Sequence, residues 1–150
     1  MAGFNFRLEA SLSLAEQALA EAERQLAREL QRQIALQRLR DDCADLWHQA
    51  LAGQRGASET HPQELGRWQA YTRFRFAELQ RTEQSLQDQN TKVAAARMTV
   101  ADAYREAEKL RRLRAKELAA FRLAEQRREQ KILDEAGQIG FWWQRSGEAL

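Results

Sequence analysis

From Leu8 to Ala50 the chain runs 43 residues without a glycine or a proline, and its apolar residues recur at alternating steps of four and three. Leu8, Leu12, Ala15, Leu19, Ala22 and Leu26 fall on one narrow stripe, the a/d seam of a heptad repeat. A single helix over residues 6–51 is expected, roughly 70 Å long at 1.5 Å per residue. No compact domain core needs a helix of that length. Leu30 and Ile34 step the stripe sideways before it resumes at Leu36, Leu39, Cys43, Leu46 and Ala50, which predicts a register discontinuity near residues 29–33.

Residues 53–62 hold two glycines and the only proline, and they read as the turn. Thr60 followed by Gln63 has the form of a capping box, and Pro62 suits a first helical turn, so a second helical stretch should begin near His61. That stretch, residues 63–136, carries Leu79, Leu86, Val93, Val100, Ala107 and Phe121 at multiples of seven, with Arg114 interrupting the row. Phe76, Tyr104, Leu110, Leu118 and Ile132 flank the row. The pattern fits one very long helix or two joined near Asn90–Thr91, and the dip in helix propensity there favours a break, with a short connecting helix before it. Gly137 and Gly140 should end the helical pattern, leaving residues 137–150 as a tail.

The expected fold is therefore all-α: a single domain, residues 1–150, forming a long antiparallel two-stranded coiled-coil hairpin. Composition agrees. Charged residues make up 31% of the chain and there are only seven Gly, which suits narrow seams between helices. Disorder is the competing reading of high charge, but 43% apolar content at regular spacing argues against it. Charge also favours the antiparallel return. Residues 7–29 hold five Glu against three Arg, and residues 105–131 hold ten Lys and Arg against five Glu. Flanking charges choose partner and direction more than they add stability. Both chain ends should then share one tip, with residues near Leu8–Leu19 and Phe121–Glu135 forming one slender two-helix rod.

The chemistry expected of this chain is recognition. The phosphate-cradling GxxxxGK[ST] loop is absent. His48 and His61 have no Cys or second His at ligand spacing, so no metal or other cofactor is expected. Cys43 sits on the seam, where a small buried hydrophobe is expected and a nucleophile is not. A net charge of +2 gives no global pull towards nucleic acid, although the run Lys109, Arg111, Arg112, Arg114 and Lys116 is basic. The lone cysteine, the first ten residues and the lack of a long apolar run predict a soluble cytoplasmic protein. Two clusters exceed ordinary coiled-coil sequence. Trp68, Tyr71, Phe74 and Phe76 place a third of the twelve aromatics within nine residues, either closing the hairpin's own end or offering a docking patch. Phe141, Trp142 and Trp143 follow the two late glycines.

Three stretches then resemble one family. Phe4-Asn5-Phe6-Arg7-Leu8-Glu9 with Leu12 is similar to the F-x-F-R-L-E-x-x-L opening of the flagellar FliJ family. Arg67-Trp68-Gln69-Ala70-Tyr71-Thr72-Arg73-Phe74 resembles the R-W-x-x-Y-x-x-F stretch of its enterobacterial members. Residues 125–135 resemble its E-x-R-x-x-Q-K-x-x-D-E block. The resemblance implies a non-enzymatic, stalk-like component of the flagellar type III protein-export apparatus at the inner face of the cell membrane. Its implied partners are the flagellar export ATPase, the cytoplasmic part of the membrane export gate, and export chaperones, with no nucleic acid and no small-molecule substrate. It assigns gate or partner docking to Trp68, Tyr71 and Phe74 and places Gln130, Lys131, Asp134 and Glu135 near the stalk tip, whose charged surface is expected also to include Arg127 and Arg128. The chain departs from the enterobacterial pattern at Glu78, Arg81 and Ser85, where gate-contacting apolar or His residues stand in those relatives. An injectisome stalk, a rotary-ATPase stalk subunit and a generic coiled-coil scaffold are the alternatives.

Overall fold

The computed structural model describes residues 3–148. Helix α1 spans Glu9–Thr60, a 3-10 turn spans Pro62–Glu64, and helix α2 spans Leu65–Glu148, with no strand among the described residues. The two long helices pack against each other as a helical hairpin.

The connection is shorter than the glycines suggested. α1 continues through Gly53 and Gly56 to Thr60, because a helical glycine costs only about 1 kcal/mol and a packed face can offset that. What stops the helix is Pro62, which has no N–H to donate and restrains the residue before it. Thr60 acts at the opposite end of the connection from the one expected. Its Oγ1 donates to the Gly56 carbonyl at 2.8 Å and lies 2.9 Å from Nδ1 of His61, so it serves the end of α1. His61 precedes the 3-10 turn without a side-chain cap.

Contacts divide the chain into two compact units. One comprises Gln17–Tyr104 and includes the turn. Its α1 seam follows two unbroken heptad rows, Leu19–Leu26–Gln33 and Ala22–Glu29–Leu36–Cys43–Ala50–Ala57, and every one of these residues is buried or half-buried. The expected register discontinuity at residues 29–33 is therefore absent. The stripe changes chemistry there and keeps its geometry: Glu29 and Gln33 occupy seam positions, while Ile34 and Leu39 are 47% and 49% exposed. α2 supplies Leu79, Leu86 and Val93 as one row and Thr82 and Gln89 as the other. The descending pairs Glu29–Gln89, Cys43–Thr82 and Trp47–Phe76 establish the antiparallel register. Cys43 Sγ lies 3.6 Å from Thr82 Oγ1, buried as a small seam residue.

A polar layer sits inside this seam. Gln89 donates from Nε2 to the Glu29 carboxylate and, at 2.9 Å, to the Glu29 carbonyl, and Gln25 donates to the same carboxylate at 2.9 Å. Gln33 donates to Asn90 Oδ1 at 2.7 Å. α2 runs unbroken through Asn90 and Thr91, contrary to the expected break. The cross-hairpin bond to Gln33 and the burial of Val93 override a weak local propensity.

The other unit comprises Met1–Glu16 and Arg105–Leu150. Phe6, Leu12 and Ala107 are its buried residues, and Phe4 meets Phe121 at 5.6 Å between ring centroids. The predicted acid–base pairing is present: Arg111 bonds Glu16 at 3.2 Å and Arg114 bonds Glu9 at 3.0 Å. Arg114, which breaks the apolar row in sequence, keeps the seam by lying 5.6 Å over the Phe4 ring while its head reaches Glu9. The two-helix tip expected over residues 121–135 is not formed. Past Glu125, α2 continues with every residue from 126 to 145 exposed. Nor do Gly137 and Gly140 end it. Neither adopts a positive φ, so no left-handed cap forms and the helix carries through Phe141, Trp142 and Trp143 to Glu148. The last two residues of the expected tail lie outside the described ones.

Candidate functional site

Two surfaces hold the residues singled out from sequence, one in each unit.

The first is an aromatic patch on the opening turns of α2. Gly53 of α1 leaves a notch into which the Trp68 indole sits: a Cβ on Gly53 would stand 2.7 Å from Cε3 and closer still to Cζ3 and Cη2. Trp68 is therefore half core and half surface. Tyr71 meets it edge-on, 6.1 Å away at 75°. Arg75 ties the next two rings together. Its guanidinium lies 5.1 Å from the Tyr71 centroid and 5.3 Å from that of Phe74, and its Nε donates to the Tyr71 hydroxyl at 3.0 Å. Tyr71 and Phe74 remain 38% and 51% exposed. Phe76 does not join them; it packs 5.3 Å from Trp47 of α1 on another face. The four-aromatic cluster of the sequence is thus two clusters. Gly53 was read from sequence as a turn residue and Arg75 not singled out, because their roles here are relational: one is a missing side chain beneath a ring, the other a cation between two rings.

Next to the patch, Glu78 and Arg81 form an ion pair at 2.8 Å. The departures from the enterobacterial pattern make that flank charged. No metal-holding group of His, Cys, Asp or Glu occurs among the described residues. What the patch can do is bind: rigid aromatic faces, part-exposed and held by a cation, are the make-up of an interface anchor.

The second surface is the unaccompanied stretch of α2. Arg127, Arg128, Gln130, Lys131, Asp134 and Glu135 are all exposed on it. Arg128 bonds Glu125 at 3.1 Å and Gln130 donates to Asp134 at 3.1 Å, both along the helix. These bonds hold side chains upright without covering them. Ile132, Leu133, Ile139, Phe141, Trp142 and Trp143 share the stretch, each between 59% and 67% exposed. No helix among the described residues is long and apolar enough to cross a membrane.

No curated protein and no solved structure matches the chain. The model of the Flagellar FliJ protein family matches it over residues 5–146, a span that takes in the opening motif from Asn5 onward, the aromatic patch and the exposed stretch of α2 over residues 126–145. The chain belongs to the FliJ family, a non-catalytic component of the flagellar export apparatus.

Proposed function

We propose that this chain is the non-enzymatic, stalk-like element of the flagellar type III export apparatus, working in the cytoplasm at the flagellar base. The end of α2 enters the export ATPase ring, the Trp68–Tyr71–Phe74 patch docks on the membrane export gate, and the hairpin also handles export chaperones. The family membership supports the flagellar setting over an injectisome or a scaffold. The observation that carries the ring assignment is the bare helix over residues 126–145, all of it exposed, with its charges gathered on residues 127–135 and at Arg145. One helix with its side chains is about 10–12 Å wide, half the girth of a helix pair, and so fits a narrow central hole more readily than the two-helix tip expected from sequence. Polar contacts of this kind give weak, salt-sensitive, reorientable binding, suited to an element that must not lock a turning ring.

The test is ring assembly and ATP turnover by the export ATPase with and without the purified chain. Wild type should promote assembly and stimulate turnover. Arg128→Glu with Lys131→Glu should abolish stimulation and leave the thermal melt nearly unchanged, since exposed charges contribute little to folding. Identical turnover with wild type, variant or nothing added would refute the stalk role. Gate docking is tested by Tyr71→Ala with Phe74→Ala, which spares the Trp68 side chain seated on Gly53. That pair should weaken gate binding at unchanged helicity; unchanged binding refutes the patch assignment.

A further inference from the structure

Leu118, Glu125, Ile132 and Ile139 succeed one another at seven-residue intervals on one face of α2. The first two are half-buried within the hairpin, whereas Ile132 and Ile139 are each 59% exposed. The row that closes the unit's own seam thus continues past the point where the seam has a second helix. A bare row continuous with a helical seam suits another helix, and the charge on either side of it says which one. Residues 122–131 carry four cations, Arg122, Arg127, Arg128 and Lys131, against two carboxylates, Glu125 and Glu129. Residues 134–143 carry two carboxylates, Asp134 and Glu135, and no cation. The stretch is complementary to its own reverse.

We infer that residues 122–143 of two copies of this chain pair antiparallel about Ile132, forming a dimer that covers the end of α2. In that register the net-positive half of each copy faces the net-negative half of the other, and Asp134 lies opposite Gln130, beside Lys131. Trp142 of one copy lies opposite Arg122 of the second, where a guanidinium group meets an indole face. Parallel pairing would set cations on cations and carboxylates on carboxylates. A tryptophan buries about 150–250 Å². Four tryptophans with the isoleucine row therefore hide on the order of 1,000 Å², at the lower edge of specific interfaces. The dimer is reversible and forms in the micromolar range. It covers Arg127, Arg128, Lys131, Asp134 and Glu135, so on the stalk reading above a dimer cannot enter a ring. Self-pairing then holds surplus copies out of the ring and shields the two tryptophans of each.

The experiment is sedimentation of the full chain across the micromolar range, with circular dichroism confirming helicity. Wild type should dimerise, more weakly at high salt. Arg128→Glu/Lys131→Glu should dimerise at least about tenfold more weakly, and so should Asp134→Lys/Glu135→Lys, because each sets like charges face to face. An equimolar mixture of the two variants should regain a heterodimer, since both halves are again complementary. Orientation is read by disulfide trapping: Ile132→Cys should cross-link between copies much faster than Ile139→Cys, because only position 132 lies at the two-fold axis. A wild type that stays monomeric overturns the inference. So does a mixture that fails to pair, or equal cross-linking at both positions, which denotes parallel strands. Binding of the monomeric chain to anionic phospholipid vesicles without dimer formation would assign the tryptophans to a membrane surface and equally overturn it. Each readout uses the purified chain without ATPase, so failure here leaves the ring assignment standing.

Discussion

Gly53 and Gly56 lie three residues apart in the same helix, and the same substitution should act on them with different sign. Replacing a glycine in a helix interior with alanine stabilises by about 1 kcal/mol in the absence of other contacts. At Gly56 a new Cβ meets nothing within 4 Å. Gly56→Ala should therefore show that gain, a rise in Tm of about 2–4 °C for a chain of this size. At Gly53 the Cβ would overlap the six-membered ring of Trp68. The indole must leave its notch or the helices must part, and forced overpacking of this sort costs about 1–3 kcal/mol. The net for Gly53→Ala is a loss of about 0–2 kcal/mol, which separates the two variants by about 1–3 kcal/mol. Urea unfolding followed by circular dichroism measures that separation. A double-mutant cycle identifies its origin: with Trp68→Ala already in place, Gly53→Ala should become stabilising, because the ring it collides with is gone. Equal stabilisation at both glycines, or a Gly53→Ala loss that persists without Trp68, would refute the notch as the reason for the glycine.

The remaining predictions follow from single side chains. Thr72 is buried and its hydroxyl has no hydrogen-bond partner among the described residues, so the isosteric Thr72→Val should raise stability by about 1 kcal/mol in the same urea assay. The Gln89 hydrogen bond, with the charge of Arg32 and the Gln25 amide behind it, holds the Glu29 carboxyl below its ordinary 4.5 against the opposing effect of burial. A depressed folded-state value adds stability above 4.5 that is lost as pH falls through the lower folded value; Tm should drop across that acid window, and Glu29→Gln should flatten the drop. Arg114→Ala should cost about 1–2 kcal/mol, since its exposed bridge to Glu9 adds little and its packing over the Phe4 ring is lost with it. The purified chain should hydrolyse no ATP, as checked by phosphate release after removal of contaminating ATPases.

What could be read from sequence was whatever repeats. Leu79, Leu86, Val93 and Ala107 declare a seam by spacing alone, and the acidic and basic stretches declare its direction. What could not be read was polar material obeying the same period. Glu29, Gln33, Thr82 and Gln89 hold seam positions that an apolar search skips, so the stripe looked displaced to Leu30 and Ile34 when it was only polar in character. Glycine misled in the opposite way. Gly53, Gly56, Gly137 and Gly140 all looked like stops, yet all are helical, since a stop needs a cap or a proline and only Pro62 supplied one. In the candidate site the aromatic residues were legible by type and density. Their division into a Trp68–Tyr71–Phe74 group and a Trp47–Phe76 pair was not, because it depends on which ring finds α1 beneath it.

The unaccompanied end of α2 has a kinetic consequence. An isolated peptide of its length is marginally helical in water because the first turn is costly to start. Here that turn is already formed by the preceding residues, where Phe121 rests on Phe4, so the extension only has to propagate. Its order is thereby lent from one end. It should melt by fraying inward from the side away from the hairpin, pausing little at Gly140 and Gly137, which each weaken propagation by about 1 kcal/mol. A protease specific for Lys and Arg should accordingly cut first at Arg145, then at Lys131, Arg128 and Arg127, and only much later inside the hairpin. The same one-sided fraying lets the end of the helix unwind and rewind without disturbing the seam, so that a partner can thread it through a gap too tight for a helix held at both ends.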